Sequence, residues 1–313
     1  MPEIKAFLQS FARWLEAYRP DAVLTYGGDP VSLEMMRIAK SYDLPVVFGL
    51  HNFAYRRTAA FKHADYVVVP SEFSRQHYWR NIGVACHLLP NMVHDEAILV
   101  NTQEREPRYL TFVNPQRSKG VCVVFRIAQE LARLRLDIPI LIVEGRGQMT
   151  SLKEMGLDFA SLPNVSTIPN TPRPSEFFRT TKVLLVPSLW SESFCLVAAE
   201  AMTNGIPVLA SNRGALPETV GDGGFLFDIP VWYTPETKTI PTAEEVRVWI
   251  ETILRLWDDI DFYQASCDRA VQNSSCWRPD NLCHVYREFF ENLTTQPTSP
   301  IVPLSVSCDE INV

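Results

Sequence analysis

Several features are missing from this sequence, and each absence closes a door. No apolar run approaches the ~20 residues that a membrane-spanning helix requires, so no span is expected, while contact at a membrane surface stays open. No basic run of the kind that tracks phosphates is present. With a net charge of −7 and a pI near 5.5, no nucleic-acid partner is expected. The seven cysteines, Cys86, Cys122, Cys195, Cys267, Cys276, Cys283 and Cys308, are odd in number and form no C-x-x-C pair. No signal peptide precedes them, so reduced thiols and a cytoplasmic location are expected. The Asn-x-Ser/Thr matches at Asn164, Asn273 and Asn292 then read as chance. No His/Cys spacing suggests zinc, and neither a metal nor a bound cofactor is expected.

What remains is ordinary globular material, 46% hydrophobic and 21% charged over 313 residues, a length that suggests about two domains. The first half alternates short apolar runs with helical patterns. "EIKAFLQSFARWLEAY" sets Ile4, Phe7, Leu8, Phe11, Leu15 and Tyr18 on one helical face. Strands follow at "PDAVLTYG", "LPVVFGLH" and "DYVVVPS". Helices are expected at "PVSLEMMRIAKSY", "AYRRTAAFKHA" and "EFSRQHYWRNIG", and "ACHLLPNMV" reads as an edge strand. A polar break, "NTQEREPR", interrupts the rhythm, which restarts at "YLTFVNP". Further strands are "IPILIVEG", "VSTIP", "KVLLVPS", "IPVLAS" and "GGFLFD", with helices between them. "TAEEVRVWIETILRLWDDIDFYQASCDRAV" reads as helical throughout, and the stripe Val246, Trp249, Ile250, Ile253, Leu256 and Trp257 reads as core. Continuous apolar strands joined by helices indicate parallel sheets covered on both faces. The expected domains are 1–100 and 107–280, with a closing helix at 281–293 and a Pro/Ser/Thr-rich disordered tail at 294–313.

The most informative stretch is "LVPSLWSESFCLVAAEAMTNGIPVLAS" (185–211). A strand ends in a loop carrying Glu192, and a helix starts near Phe194, Cys195 and Leu196 with Glu200 inside it. Parallel sheets bind ligands outside the carboxyl ends of their strands, where helix N-termini offer free N–H groups. A phosphate on such a helix start, flanked by carboxylates that accept hydroxyl donors, is a plausible sugar-phosphate site. A solvated loop glutamate and a surface glutamate would give the same pattern. Glu200, however, lies among Ala198, Ala199, Ala201 and Met202, where an unpartnered carboxylate is expensive to bury.

The longer stretch "PSLWSESFCLVAAEAMTNGIPVLASNRGALPE" resembles the E-x(7)-E signature of retaining, GT-B-fold glycosyltransferases of family 4. The likeness extends to "FVNPQRSKG", "LPNMV", "ADYVVVPSEFSR" and "FGLHN", and covers about residues 20 to 290. It implies an α/β, GT-B architecture of two Rossmann-like doubly wound domains, the amino-terminal one incomplete. By resemblance, Glu192 holds the donor sugar hydroxyls, Glu200 the nucleotide ribose and Lys119 the diphosphate. His51 would approach the sugar from the other domain. Ser193, Phe194, Cys195 and Leu196 line the donor phosphate. Gly145, in Gly145-Arg146-Gly147, either reaches the base or makes an ordinary strand–helix turn. The reaction implied is metal-independent transfer from a nucleotide-sugar to an unidentified acceptor.

Three departures stand out. The family pattern has Gly-Arg where this chain has Asn114–Pro115, leaving Arg117 as the nearest replacement cation. It has glycine where this chain has Cys195, a thiol expected to gain thiolate character and to alkylate readily at a helix start. About 80 residues, roughly half a typical domain, are absent ahead of the first helix. A fragment, a reduced acceptor domain, or a partner chain that completes the fold would each account for this. The rival function is a degenerate nucleotide-sugar-binding subunit. Asp259-Ile-Asp261 matches the D-x-D metal motif of the other major glycosyltransferase fold, but reads as solvated charge at a helix end.

Overall fold

The computed structural model describes residues 2–99, 105–293 and 300–301. Apart from Pro300 and Ile301, the tail expected to be disordered (294–313, with Cys308) begins at a described Leu293-adjacent boundary and lies outside the described residues, as do positions 101–104 of the polar break. The chain divides into two compact units, Met1–Pro90 with Cys283–Val313, and Asn91–Leu282.

The first unit contains α1 (Pro2–Tyr18), β1 (Val23–Thr25), α2 (Pro30–Lys40), β2 (Val46–Gly49), β3 (Tyr66–Val69), α3 (Glu72–Ile82) and β4 (His87–Leu88). Its four strands are parallel and lie in the order β1-β2-β3-β4. Sequence signals set the helix ends. Asp29 accepts from the amides of Val31 and Ser32 ahead of Pro30, and Ser71 accepts from Ser74 N, so each side chain satisfies otherwise orphaned donors. Val46 and Phe48 face Met36, Phe61 and Tyr78, while Val47 turns to the opposite face with Val68 and Leu89.

One expectation fails in this unit. "AYRRTAAFKHA" forms only a 3-10 turn at Thr58–Phe61. Phe61 is already buried in the core and Asp65 N must bond Val46 O to start the next strand, which leaves no room for a helix. The apolar face of α1 forms as expected but is buried over only part of its length. Leu15 is buried, but Ile4, Phe7 and Tyr18 are 42%, 51% and 71% exposed. The helix packs against α2, and that contact is too narrow to cover the whole stripe.

The second unit runs β5 (Tyr109–Val113), α4 (Val121–Leu134), β6 (Ile140–Val143), α5 (Met149–Glu154), β7 (Val165–Ile168), α6 (Ser175–Phe178), β8 (Thr181–Val186), α7 (Leu196–Thr203), β9 (Val208–Ser211), α8 (Leu216–Val220), β10 (Phe225–Phe227), α9 (Arg247–Asp258) and α10 (Ile260–Ser274). The final helix, α11 (Pro279–Glu291), begins here, and from Cys283 onward it counts with the first unit. There Val285, Tyr286, Phe289 and Phe290 pack on Val47, Val68 and Leu89. The second unit's six parallel strands lie in the order β10-β9-β8-β5-β6-β7. Alternate residues of each strand point to opposite faces. Leu110, Phe112, Ile140, Ile142, Val183 and Leu185 pack with α4 and α9. Leu141, Val143, Leu184 and Val186 pack with α7 and α8. Two-sided burial is why these strands read as unbroken apolar runs.

The stretch expected to be one long helix is two, broken at Asp259. Its carboxylate accepts from Phe262 N at 2.9 Å, capping α10, so a side chain of the D-x-D match serves as a helix cap. Trp249, Ile253 and Leu256 of α9 are buried, as the core reading of their stripe requires. Among the described residues, no group of three or more His, Cys, Asp or Glu converges on a metal-sized site. None of the described helices is long and apolar enough to cross a membrane.

Candidate functional site

The strand order of the second unit determines where a ligand can sit. From β5 the chain steps outward through β6 to β7, then returns to lay β8 on the other side of β5. The loops leaving β5 and β8 therefore diverge to opposite faces, and a crevice opens at their carboxyl ends. Lys119 lies in the loop after β5, and Glu192 in the loop after β8.

The two meet. Lys119 Nζ donates to Glu192 Oε1 at 2.7 Å, and Ser188 Oγ donates to the same oxygen at 2.6 Å. Glu192 is 6% exposed. Its Oε2 takes no hydrogen bond from the described residues. The backbone around it is fastened on every side. Ser118 O accepts from Leu189 N and Trp190 N, at 2.9 and 3.2 Å, and Gly120, at φ +82°, lies against Pro187, where a Cβ would meet its carbonyl oxygen. Glu192 O accepts from Ala215 N at 2.8 Å, and Gly214 fits so closely that a Cβ would fall 2.4 Å from Glu192 N. Thr219 Oγ1 donates to Phe194 O. The Phe194 ring meets Trp277 edge-on at 5.1 Å. Arg213 donates to the carbonyls of Leu189, Ile229, Pro230 and Tyr233.

Glu200 is a different kind of carboxylate. It projects from α7, is 8% exposed, and its carboxyl group has no hydrogen-bond partner among the described residues. Burial raises its pKa to about 7, because desolvation penalises the charged form. A carboxylate in this state is suited to receiving hydroxyl donors from a ligand.

Cys195 caps α7 with φ +80°, a conformation that favours glycine. The glycine of the family pattern thus has a backbone reason at this position. The surroundings run against the expected thiolate character. Burial, and secondarily the charge of Glu192, push the thiol pKa up, and desolvation outweighs the field of the helix start. The second departure falls on the same kind of backbone. Asn114 has φ +61°, which asparagine tolerates better than most residues. Its Oδ1 accepts from Gly147 N at 2.9 Å.

Two family models match this chain in tandem: Glycosyltransferase Family 4 over residues 2–97, and Glycosyl transferases group 1 over residues 96–233. The chain is similar to family 4 and group 1 glycosyltransferases over these two stretches. The lipopolysaccharide 1,2-N-acetylglucosaminetransferase of Salmonella typhimurium is 26% identical over 50% of this chain and 46% of its own length. The D-inositol 3-phosphate glycosyltransferase of Paenarthrobacter aurescens is 36% identical over 46% of this chain and 34% of its own. The chain thus spans less than half the length of either relative. Among solved structures, Anabaena HepE in complex with UDP and glucose superposes with a TM-score of 0.71 at 18% identity, over 93% of this chain and 82% of that one. The likeness establishes the GT-B fold.

The site residues expected from sequence do not all converge. Lys119, Glu192, Ser193, Phe194, Cys195 and Leu196 fall on the two loops at the crevice and the start of α7, with Glu200 further along that helix. Gly145 lies in the neighbouring loop after β6, against the Asn114 side chain. Arg117 directs Nε and Nη2 to Met155 Sδ, at 3.1 and 3.0 Å. His51 belongs to the first unit, just past β2, where its ring folds over Gly49; partial desolvation lowers its pKa. Sequence reasoning did not single out Ser188, Ser118, Arg213, Gly214 or Thr219. Ser188 and Gly214 were within reach, since both fall inside the quoted family stretch. The bond from Ser118 uses a backbone oxygen, which leaves no trace in side-chain identity.

Proposed function

We propose that this chain is a cytoplasmic, retaining glycosyltransferase that moves a sugar from a nucleotide-activated donor to a hydroxyl acceptor without a metal. The observation that carries the reading is the Lys119–Glu192 pair across the switch point, with the buried Glu200 on the adjoining helix, its carboxyl group unpartnered among the described residues. In this reading the ribose hydroxyls donate to Glu200. The diphosphate draws Lys119 and lies at the start of α7, and a sugar hydroxyl takes Glu192 Oε2. The bond between the anomeric carbon and the β-phosphate oxygen breaks with its electron pair passing to the diphosphate. Lys119 and the helix start stabilise that charge. The acceptor oxygen bonds the anomeric carbon on the same face, and its proton passes to the departing phosphate oxygen. His51 keeps the role the resemblance implies, contact with the donor sugar.

The test is calorimetric titration with UDP, GDP, ADP and TDP, followed by NMR of the product's anomeric configuration with the corresponding sugar nucleotides. Binding of one nucleotide, and transfer that persists in EDTA, are expected. Binding of none of the four would refute the donor reading. Loss of transfer in EDTA, restored by Mn²⁺, would refute metal independence.

One observation favours the rival, a nucleotide-sugar-binding subunit completed by a partner chain. Ile4, Phe7, Trp14 and Tyr18 on α1 are exposed, as are Leu24 and Tyr26 at β1, an edge of the four-stranded sheet. Nucleotide binding without transfer by the isolated chain, with transfer appearing on addition of a partner, would establish it.

A further inference from the structure

We propose that Arg146 supplies the second cation of the phosphate site, in place of the arginine that Pro115 displaces. The inference rests on the donor reading above and adds a residue to it. A nucleoside diphosphate brings two phosphate groups to a crevice where the charge of Lys119 is already matched by Glu192 at 2.7 Å. The other cations near these loops are committed. Arg117 is turned to Met155, and Arg213 donates to four backbone carbonyls. Arg146 is exposed and has no ion-pair or hydrogen-bond partner among the described residues. Glu144, the acid on the same loop, has its Oε1 engaged by Met149 N at 2.8 Å.

The loop geometry ties Arg146 to the position of the missing arginine. β5 and β6 are adjacent and parallel, so the Lys119 loop and the Arg146 loop leave the same edge of the sheet. Asn114 Oδ1 holds Gly147 N at 2.9 Å. Gly147 lies so close to Pro115 that a Cβ would come within 2.4 Å of its carbonyl oxygen. The asparagine that replaces the pattern's glycine therefore also anchors the loop that carries the replacement cation. A glycine at 114 could adopt the same backbone but could not make that bond. The guanidinium suits the task, since its fork matches two phosphate oxygens at once.

The experiment uses the whole chain, titrated with whichever of UDP, GDP, ADP and TDP it binds and with the matching nucleoside. Arg146→Gln should weaken the diphosphate about tenfold, as loss of a charge-assisted contact does, and leave the nucleoside unchanged. Arg146→Lys should retain part of the affinity. Adding Pro115→Arg to Arg146→Gln should restore most of the loss, while Arg117→Gln alone should have little effect. An unchanged diphosphate affinity in Arg146→Gln, with the wild type binding normally, would overturn the assignment and leave the donor reading intact. Equal weakening of nucleoside and diphosphate would also overturn it, by placing Arg146 on the base. Failure of the wild type to bind any of the four would remove the donor reading first and this assignment with it.

Discussion

Glu192 and Glu200 are both about nine-tenths buried or more, yet their surroundings are opposite. Glu192 lies in a loop held by Ser118, Gly120, Gly214 and Ala215, with Lys119 and Ser188 on one carboxylate oxygen. Glu200 lies on a regular helix, its carboxyl group without a partner among the described residues, and desolvation raises its pKa to about 7. The difference separates two ways of preparing a site. In the proposed function, one carboxylate is fixed in direction before the donor arrives. In the same proposal, the other is left in a state that the donor's hydroxyls improve.

The largest expected effect falls on the fixed carboxylate. Glu192→Ala should lower the rate of transfer by about 10²–10³, the usual scale for removing a preorganised polar group, while free nucleotide still binds. Calorimetry with the nucleoside diphosphate, alongside a transfer assay, measures both. Comparable losses of free-nucleotide affinity in Glu192→Ala and Glu200→Ala would erase the distinction.

Glu200→Ala comes next. Losing hydrogen bonds to a charged group costs about 1.5–3 kcal/mol, which is roughly 10- to 100-fold in nucleotide affinity. The same side chain gives a pH signature. Its native pKa of about 7 lies above the ordinary value of 4.5, so the native state holds the extra proton between those limits. Stability contributed by the neutral form is complete below about 4.5 and falls as pH rises towards 7. Nucleotide affinity should run the other way, rising from pH 6 to pH 8 as the carboxylate becomes available to hydroxyl donors. Glu200→Gln should flatten both profiles in denaturation and titration series. A profile unchanged by that substitution would assign the titration elsewhere.

The smallest effects concern Cys195, which links the two regions at the start of α7. Cys195→Gly should relieve the φ +80° backbone. Left-handed strain of about 1–2 kcal/mol is partly offset by the greater unfolded-state freedom of glycine, about 0.5–1 kcal/mol. A small rise in melting temperature is expected, with donor affinity at least equal to that of the parent. Iodoacetamide should label buried Cys195 more slowly than the exposed Cys276 and Cys283, as mass-spectrometric mapping would record. Faster labelling at Cys195 would show a thiol more open and more acidic than its burial implies.

The sequence by itself determined the class of fold, because parallel strands buried on both faces must be apolar throughout. Leu184, Leu185 and Val186 could be read as such a strand without knowledge of their neighbours. Glu192, Glu200 and Lys119 were legible through the family pattern, and the two departures from glycine were visible as departures. Only the tertiary structure decided how those features are arranged. Neighbouring letters do not reveal that β8 returns to pair with β5, and that pairing brings Lys119 to Glu192 across 73 residues of chain. Nor do they reveal that Asn114 and Cys195 occupy left-handed backbone, since φ is set by the loop each must close. Helix periodicity marked an apolar face on α1, but burial needs a second surface, and α2 covers only part of it. The burial of Cys195 was decided in the same way: a helix start favours thiolate where solvent reaches it, and here packing leaves the residue 8% exposed.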